Sequence, residues 1–249
     1  MEASCIIPAF ENPDLLGRCL LGALAQEDVE LEIVVTDDSR SSAARSIVAR
    51  LAAGDGRVRY QEGPRSGNAV DNWNHGLALA RGETCVLAHH DEFFIDRRYL
   101  RRAIDALNEG GLAAIIGPTG VIGVQRSSRF ARAQALARAL GCPLWTLFTV
   151  NWVGPTAAFV FRRGPSFDRE LVQLVDVEFY RRVLGREHPR FLTGVCVGSL
   201  GHHRDSITAT IDPARVARED LRRLSARIGG RGLNRYDLHR LLRTVRARA

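Results

Sequence analysis

Residues 31–39 read LEIVVTDDS, a run that is apolar or β-branched except for Glu32 and stops at two adjacent carboxylates, Asp37 and Asp38. A short continuous run of this kind predicts a strand covered on both faces rather than one half exposed to water. The same design recurs to either side. SCIIP (residues 4–8) runs into Pro8, Ala9 and Phe10, and TCVLA (residues 84–88) runs into His89, His90, Asp91 and Glu92. Helical spacing fills the gaps: residues 13–25, 42–53 and 69–80 place their apolar side chains on one face, and RVRYQ (residues 57–61) adds a fourth strand between the last two. Strands alternating with helices predict an α/β fold, with a mostly parallel central sheet and helices on both faces. Ligands of such sheets bind beyond the carboxyl ends of the strands, so the polar clusters at Asp37-Asp38 and at His89 to Glu92 mark a candidate site.

The second half is less regular. Residues 111–120 contain an apolar strand, 121–141 an arginine-dotted connection, helical or mobile, 157–161 a strand, and 174–184 a short helix carrying Asp176. Two amphipathic helices are expected to end the chain, with GGRG (residues 229–232) between them. Residues 142–161 carry no charge over a length that could span a membrane, but Pro143, Asn151, Gly154 and Pro155 would break a lipid-exposed helix. A buried turn and strand is the expectation there.

Composition narrows the class. The chain has 249 residues, enough for a sizeable core, and ordinary hydrophobic and charged fractions. Its five cysteines form no C-x-x-C pair and read as buried thiols of a reducing, cytoplasmic compartment. All 35 basic residues are arginine. Eleven of them, against four acidic residues, lie from Ile211 onward, so that tail carries the whole net charge of +7 and residues 1–210 are formally neutral. In the tail, Leu238, Leu241, Leu242 and Val245 form an apolar stripe beside Arg235, His239, Arg243 and Arg246. Either a docked helix with solvated arginines or a peripheral contact of residues 234–249 with an anionic membrane, at its inner face, fits this pattern. Nucleic acid is not expected, since the tail has one aromatic residue, Tyr236, and no recognition module.

CIIPAFENPDLLGRCLLGALAQ, EIVVTDD, NAVDNWNHGLALARGE and VLAHHDE follow one another in the first half, and WVGPTAAFVFRRGPSFD, LVDVEFYRRVL and HHRDSIT in the second. In this order the motifs resemble the family 2 glycosyltransferases, which have the GT-A fold. The resemblance covers about residues 3–208. It implies one domain over 1–210, with a donor half (about 1–110) and an acceptor half (about 111–210), followed by a helical tail, 211–249. It implies inverting transfer of a sugar from a UDP- or dTDP-sugar to an acceptor hydroxyl, the acceptor being a saccharide, a lipid-linked sugar or a small molecule. Pro8, Ala9 and Phe10 then stand where base and ribose lie. Asp37, with Asp38 as second choice, accepts a hydrogen bond from the base, and Arg65 stands near the diphosphate. Asp91 aligns with the last carboxylate of the D-x-D signature, the ligand of Mg2+ or Mn2+, a hard cation that requires oxygen donors. His89 replaces the first aspartate of that signature, beside the N-W-N helix of Asn72, Trp73 and Asn74. His89, His90 and Asn72 join the donor-site set, Glu92 is left to help Asp91 hold the metal, and His203 is the additional metal or diphosphate contact, with His202 second.

Asp176 falls where the family places the general base, a group that takes the acceptor proton as the new bond forms. Capping its own helix is the competing role for Asp176, and solvent or a second acceptor-site carboxylate the alternatives for Glu178. Asn68 and Asp71 read as a helix cap, Trp73 as core. A nucleotidyltransferase shares the fold, but a chain without lysine lacks the phosphate-binding lysine expected of one. A non-catalytic nucleotide-sugar binding protein is the third reading, motivated by the incomplete D-x-D.

Overall fold

The computed structural model describes residues 1–112, 114–117, 119–121, 139–141, 144, 147–148, 151–185, 190–194, 196–200 and 212–228. The connection over 122–138, His202, His203 and the tail from 229 onward lie outside the described residues.

A six-stranded sheet carries the molecule. Its strands are β1 (Ala3–Ala9), β2 (Leu31–Asp37), β3 (Val58–Glu62), β4 (Thr84–Leu87), β6 (Ala114–Ile116) and β8 (Phe159–Arg162), in the order β3-β2-β1-β4-β8-β6. β1, β2, β3 and β4 run parallel, and β8 is antiparallel to both β4 and β6. A second sheet, β5-β9-β7, joins β5 (Glu92–Phe94), β9 (Val197–Ser199) and β7 (Thr119–Val121). The α/β expectation holds, with the strand ends shifted by a residue or two.

The two faces of the sheet feed two cores, because alternate residues of a strand point opposite ways. Cys5, Ile7, Ile33 and Val35 pack under the helices α1 (Pro13–Leu24), α2 (Ala43–Leu51) and α4 (Tyr99–Gly110). Ile6, Leu87, Phe159 and Phe161 pack with α3 (Ala69–Leu79), α5 (Val175–Leu184) and α6 (Pro213–Ile228). α3 comes unusually close: a Cβ on Gly76 would overlap Ile6, so only glycine admits the helix at this depth. α1 starts where Asn12 accepts the Leu15 N–H ahead of Pro13, and α3 where Asn68 accepts the Val70 N–H with Asp71 in the first turn.

α4, β5, β7 and β9 lie outside the elements expected from sequence. Tyr99, Leu100, Ala103, Ile104 and Leu107 do recur at helical spacing in α4. The three short strands hold too few residues to show a period. Within the uncharged stretch, Trp152 and Val153 are buried, and a 3-10 turn (Thr156–Ala158) leads into β8. Among the described residues no helix is long and apolar enough to cross a membrane. Cys5, Cys19, Cys85 and Cys196 are free and buried, and Cys142 lies outside the described residues.

Candidate active site

Parallel pairing aligns three strand ends. Ala9 stands opposite Asp37, and Ile6 opposite Leu87, so Pro8 to Phe10, Asp37-Asp38 and His89 to Asp91 share one edge of the sheet. The loops there are stapled together: the Glu11 N–H donates to Ser39 Oγ (2.8 Å) and the Arg40 N–H to Glu11 Oε1 (2.8 Å). Glu11 (φ 48°) and Arg65 (φ 51°) hold left-handed backbone at this rim, a conformation non-glycine residues rarely adopt. Phe10 lies at the stapled edge and is 54% exposed.

The two adjacent carboxylates behave differently. Asp37 is 2% exposed and its oxygens are committed: Oδ1 accepts from the Ser39 N–H (2.8 Å), Oδ2 from the Tyr60 hydroxyl (2.6 Å). Asp38 is half-buried, and its Oδ1 accepts from the backbone N–H of Arg65 (2.9 Å). The sequence ranked Asp37 ahead of Asp38 for the base, but it is Asp38 that burial leaves accessible. Asn72 is also turned inward. Its amide donates to Thr36 O (3.0 Å) and Ala9 O (3.5 Å), tying the ends of β1 and β2 to α3. Gly63 gives these groups room, since a Cβ there would overlap both Asp38 Oδ1 and Asn72 Oδ1. The Arg65 guanidinium is exposed at the rim, 3.9 Å from Glu62.

His89 packs against Trp73 with ring centroids 4.5 Å apart, and Trp73 in turn meets Phe167 edge-on at 5.4 Å. Burial pushes the His89 imidazole down to about 4, against the pull of Asp91, with His90 adding to the fall. The ring that replaces the first aspartate of the signature is therefore neutral at physiological pH and brings no negative charge.

Glu92 departs from its expected role. Its carboxylate faces the protein interior, where it accepts from Thr156 N–H (3.2 Å), Thr156 Oγ1 (3.0 Å), Ala157 N–H (2.8 Å) and His89 N–H (3.2 Å). Burial and the Asp91 charge push its pKa well above the usual carboxylate range, while the Ala157 and Thr156 hydrogen bonds hold it down. Glu92 fastens the His89–Asp91 loop to the turn before β8, with both carboxylate oxygens engaged by these hydrogen bonds.

Asp176 occupies the first turn of α5, which begins at Leu174 without a side-chain cap. Its Oδ1 is buried and accepts no hydrogen bond among the described residues, so the capping role expected as an alternative is absent. Burial, then the nearby Asp91 charge, raises its carboxyl to about 6. Glu178, two residues on, is turned away from solvent. It is 6% exposed and paired with Arg182 (3.0 Å), whose Nη2 also donates to Ser166 O (2.6 Å). The structure thus brings Asp91 and Asp176 within electrostatic reach of each other, and withdraws Asp37, Asn72 and Glu92 into the scaffold.

Among the described residues no three His, Cys, Asp or Glu side chains cluster as a metal cage. Asp91, whose charge raises the Asp176 carboxyl, would contribute one carboxylate to a cation that arrives with a diphosphate and keeps waters in its shell, as Mg2+ does.

The family model described as "Glycosyl transferase family 2" matches residues 4–173. The chain belongs to this family. It is 31% identical over 204 residues to MT1568, an uncharacterized protein of Mycobacterium tuberculosis, the match covering 74% of this chain and 62% of that protein. The chain therefore spans less than two thirds of that relative. Among solved structures, S. aureus TarS 1–349 in complex with UDP-GlcNAc superposes with a TM-score of 0.68 at 16% identity, over 87% of this chain and 64% of that 1–349 chain. Mannosyltransferase PcManGT from Pyrobaculum calidifontis, in complex with GDP-Man and Mn2+, gives 0.65 at 19%, over 86% and 61%. The fold is GT-A.

Proposed function

We propose that this chain transfers a sugar from a nucleotide-sugar donor to an acceptor hydroxyl with inversion, using Mg2+ or Mn2+. The observation that carries the reading is Asp176, a half-buried carboxylate whose buried Oδ1 has no hydrogen-bond partner among the described residues, close enough to Asp91 to feel its charge. A group raised to about 6 is ionised at neutral pH yet basic enough to take a hydroxyl proton. In this role Asp176 accepts the acceptor's proton as its oxygen attacks the anomeric carbon from the face opposite the diphosphate. Asp91 holds the cation, and Phe10 and Asp38 hold the base and ribose. The bound cation neutralises charge developing on the departing diphosphate.

The TarS and PcManGT complexes carry different nucleotides, UDP-GlcNAc and GDP-Man, which makes the base an experimental question. UDP and dTDP are our choice because a carboxylate such as Asp38 pairs with the N3–H of a pyrimidine. Release of UDP from a panel of UDP-hexoses with Mn2+, with water as acceptor, tests the reading. A nucleotide-independent protein without turnover would sink it.

The tail enters as a separate proposal: the apolar stripe and arginines of 234–249 lie on an anionic membrane surface beside a lipid-linked or saccharide acceptor.

A further inference from the structure

The strongest unassigned feature lies in α6, outside the strand-end site. Asp220 is 0% exposed, and its carboxylate receives three consecutive backbone N–H groups: Val172 (3.1 Å), Gln173 (2.7 Å) and Leu174 (2.9 Å), all on Oδ2. Oδ1 adds a longer contact to Val172 N–H (3.3 Å). Three successive amides converging on one carboxylate form an anion nest, here filled by the protein itself. These are the residues that lead into α5, and Leu174 is the cap position that makes no side-chain cap of its own. Asp176 follows two residues later.

Around the clasp, Leu221 and Leu224 of α6 share a core with Leu171, Leu174, Val175 and Val177, and Arg223 Nη1 donates to Glu170 O. The entry to α5 is therefore fixed from α6, 46 residues later in the chain, and not by its own sequence. Asp176 Oδ1 accepts no hydrogen bond that would orient it, so the direction of its carboxylate follows from the backbone of the first turn. A carboxylate at this end of the helix also stabilises the helix dipole.

We infer that Asp220 is a positioning residue for catalysis: its carboxylate clasps 172–174 and thereby aims Asp176 at the acceptor hydroxyl. The inference rests on Asp176 as the base. It makes α6 part of the catalytic apparatus, although the proposed donor contacts all lie in the first half of the chain.

The experiment compares Asp220→Ala, Asp220→Asn and Asp176→Asn in the full chain. The probe is Mn2+-dependent UDP release from UDP-hexoses, with amide exchange over 171–178 read in parallel. With alanine, misplacement of the base should lower kcat by about 10- to 100-fold, while donor KM and Mn2+-dependent UDP affinity hold. Asparagine keeps an acceptor at the Oδ2 position, so it should recover most of the rate. Exchange should quicken at 172–178 in the alanine protein and not in β1 or β2. Alanine protein that binds UDP normally and either turns over at the wild-type rate or keeps its protection at 172–178 overturns the inference. If the alanine protein does not fold, Asp220→Glu replaces it: the longer side chain should cost more kcat than Asp220→Asn, and equal rates overturn the inference. Asp176→Asn separates the two readings. A wild-type rate there removes the base assignment, whereas a dead Asp176→Asn beside a wild-type Asp220→Ala removes the clasp alone. The exchange arm needs no turnover and decides the clasp even if water proves a poor acceptor.

Discussion

Asp176 carries opposite demands at the residue scale. Its carboxyl is raised to about 6 by burial and by Asp91, so ionising it costs stability in the native state. For an acid with a raised pKa, the penalty is absent below its ordinary range and complete once pH exceeds the native value. Metal-free Asp176→Asn should therefore melt above the wild type at pH 8, with the gap narrowing below pH 6 and closing only near the ordinary carboxyl value of 3.8, as scanning calorimetry can measure. Transfer should fall about 10²-fold in the same variant, with nucleotide binding nearly unchanged. In the wild type, activity should decline as pH falls through the Asp176 titration. A cation at Asp91 pulls that limb below its metal-free position, so the limb should move with metal loading. A second pair of substitutions separates the adjacent carboxylates. Asp37→Ala strands the Ser39 N–H and the Tyr60 hydroxyl in a buried site and should cost about 1–3 kcal/mol in urea unfolding. Asp38→Ala should leave stability nearly intact and weaken UDP binding.

At the scale of elements, helix and loop placement depends on side chains acting far from their own segment. Glu92 binds the loop after β4 to the turn before β8, and Asn74 exchanges two hydrogen bonds with Phe167 (2.8 and 2.9 Å) to dock α3 on the segment before α5. Glu92→Gln replaces one acceptor oxygen with an amide donor facing N–H groups. Chemical denaturation should register a loss of about 1–3 kcal/mol. Isothermal titration should also find weaker Mn2+-dependent UDP binding, because Asp91 sits on the loop that Glu92 anchors. Unchanged titration alongside lost stability would separate the loop from the metal site.

For the whole molecule, the candidate active site joins strand ends of one sheet to a helix from the second half of the chain. Ligand that binds only the assembled state raises its stability, so UDP should raise the melting temperature more with Mn2+ or Mg2+ than with EDTA. Equal shifts with and without metal would remove the cation from the donor site. The tail adds a separate test. Sedimentation with anionic vesicles should occur at low salt and fade as screening shortens to about 8 Å at physiological ionic strength. Removal of residues 230–249 should abolish it and leave the UDP-dependent melting shift in place.

The sequence alone determined the alternation of strands and helices in the first half: LEIVVTDD, SCIIP and TCVLA are each apolar enough to be buried on both faces, and burial is a local demand that composition and period express directly. It also brought Asp91 and Asp176 forward through their motif positions. It ranked Asp37 ahead of Asp38 and did not see that Glu92 turns inward, because which oxygen meets water depends on Tyr60, Thr156 and Ala157, remote in the chain. Asp220 carried no local signal at all. In sequence it is one acid among the arginines of an amphipathic helix, and only tertiary packing presents it to three amides that no side chain of their own segment caps. Patterns of burial are written along the chain; the satisfaction of buried polar groups is decided between segments, since an unpaired amide or carboxylate inside the protein costs too much to leave unmatched.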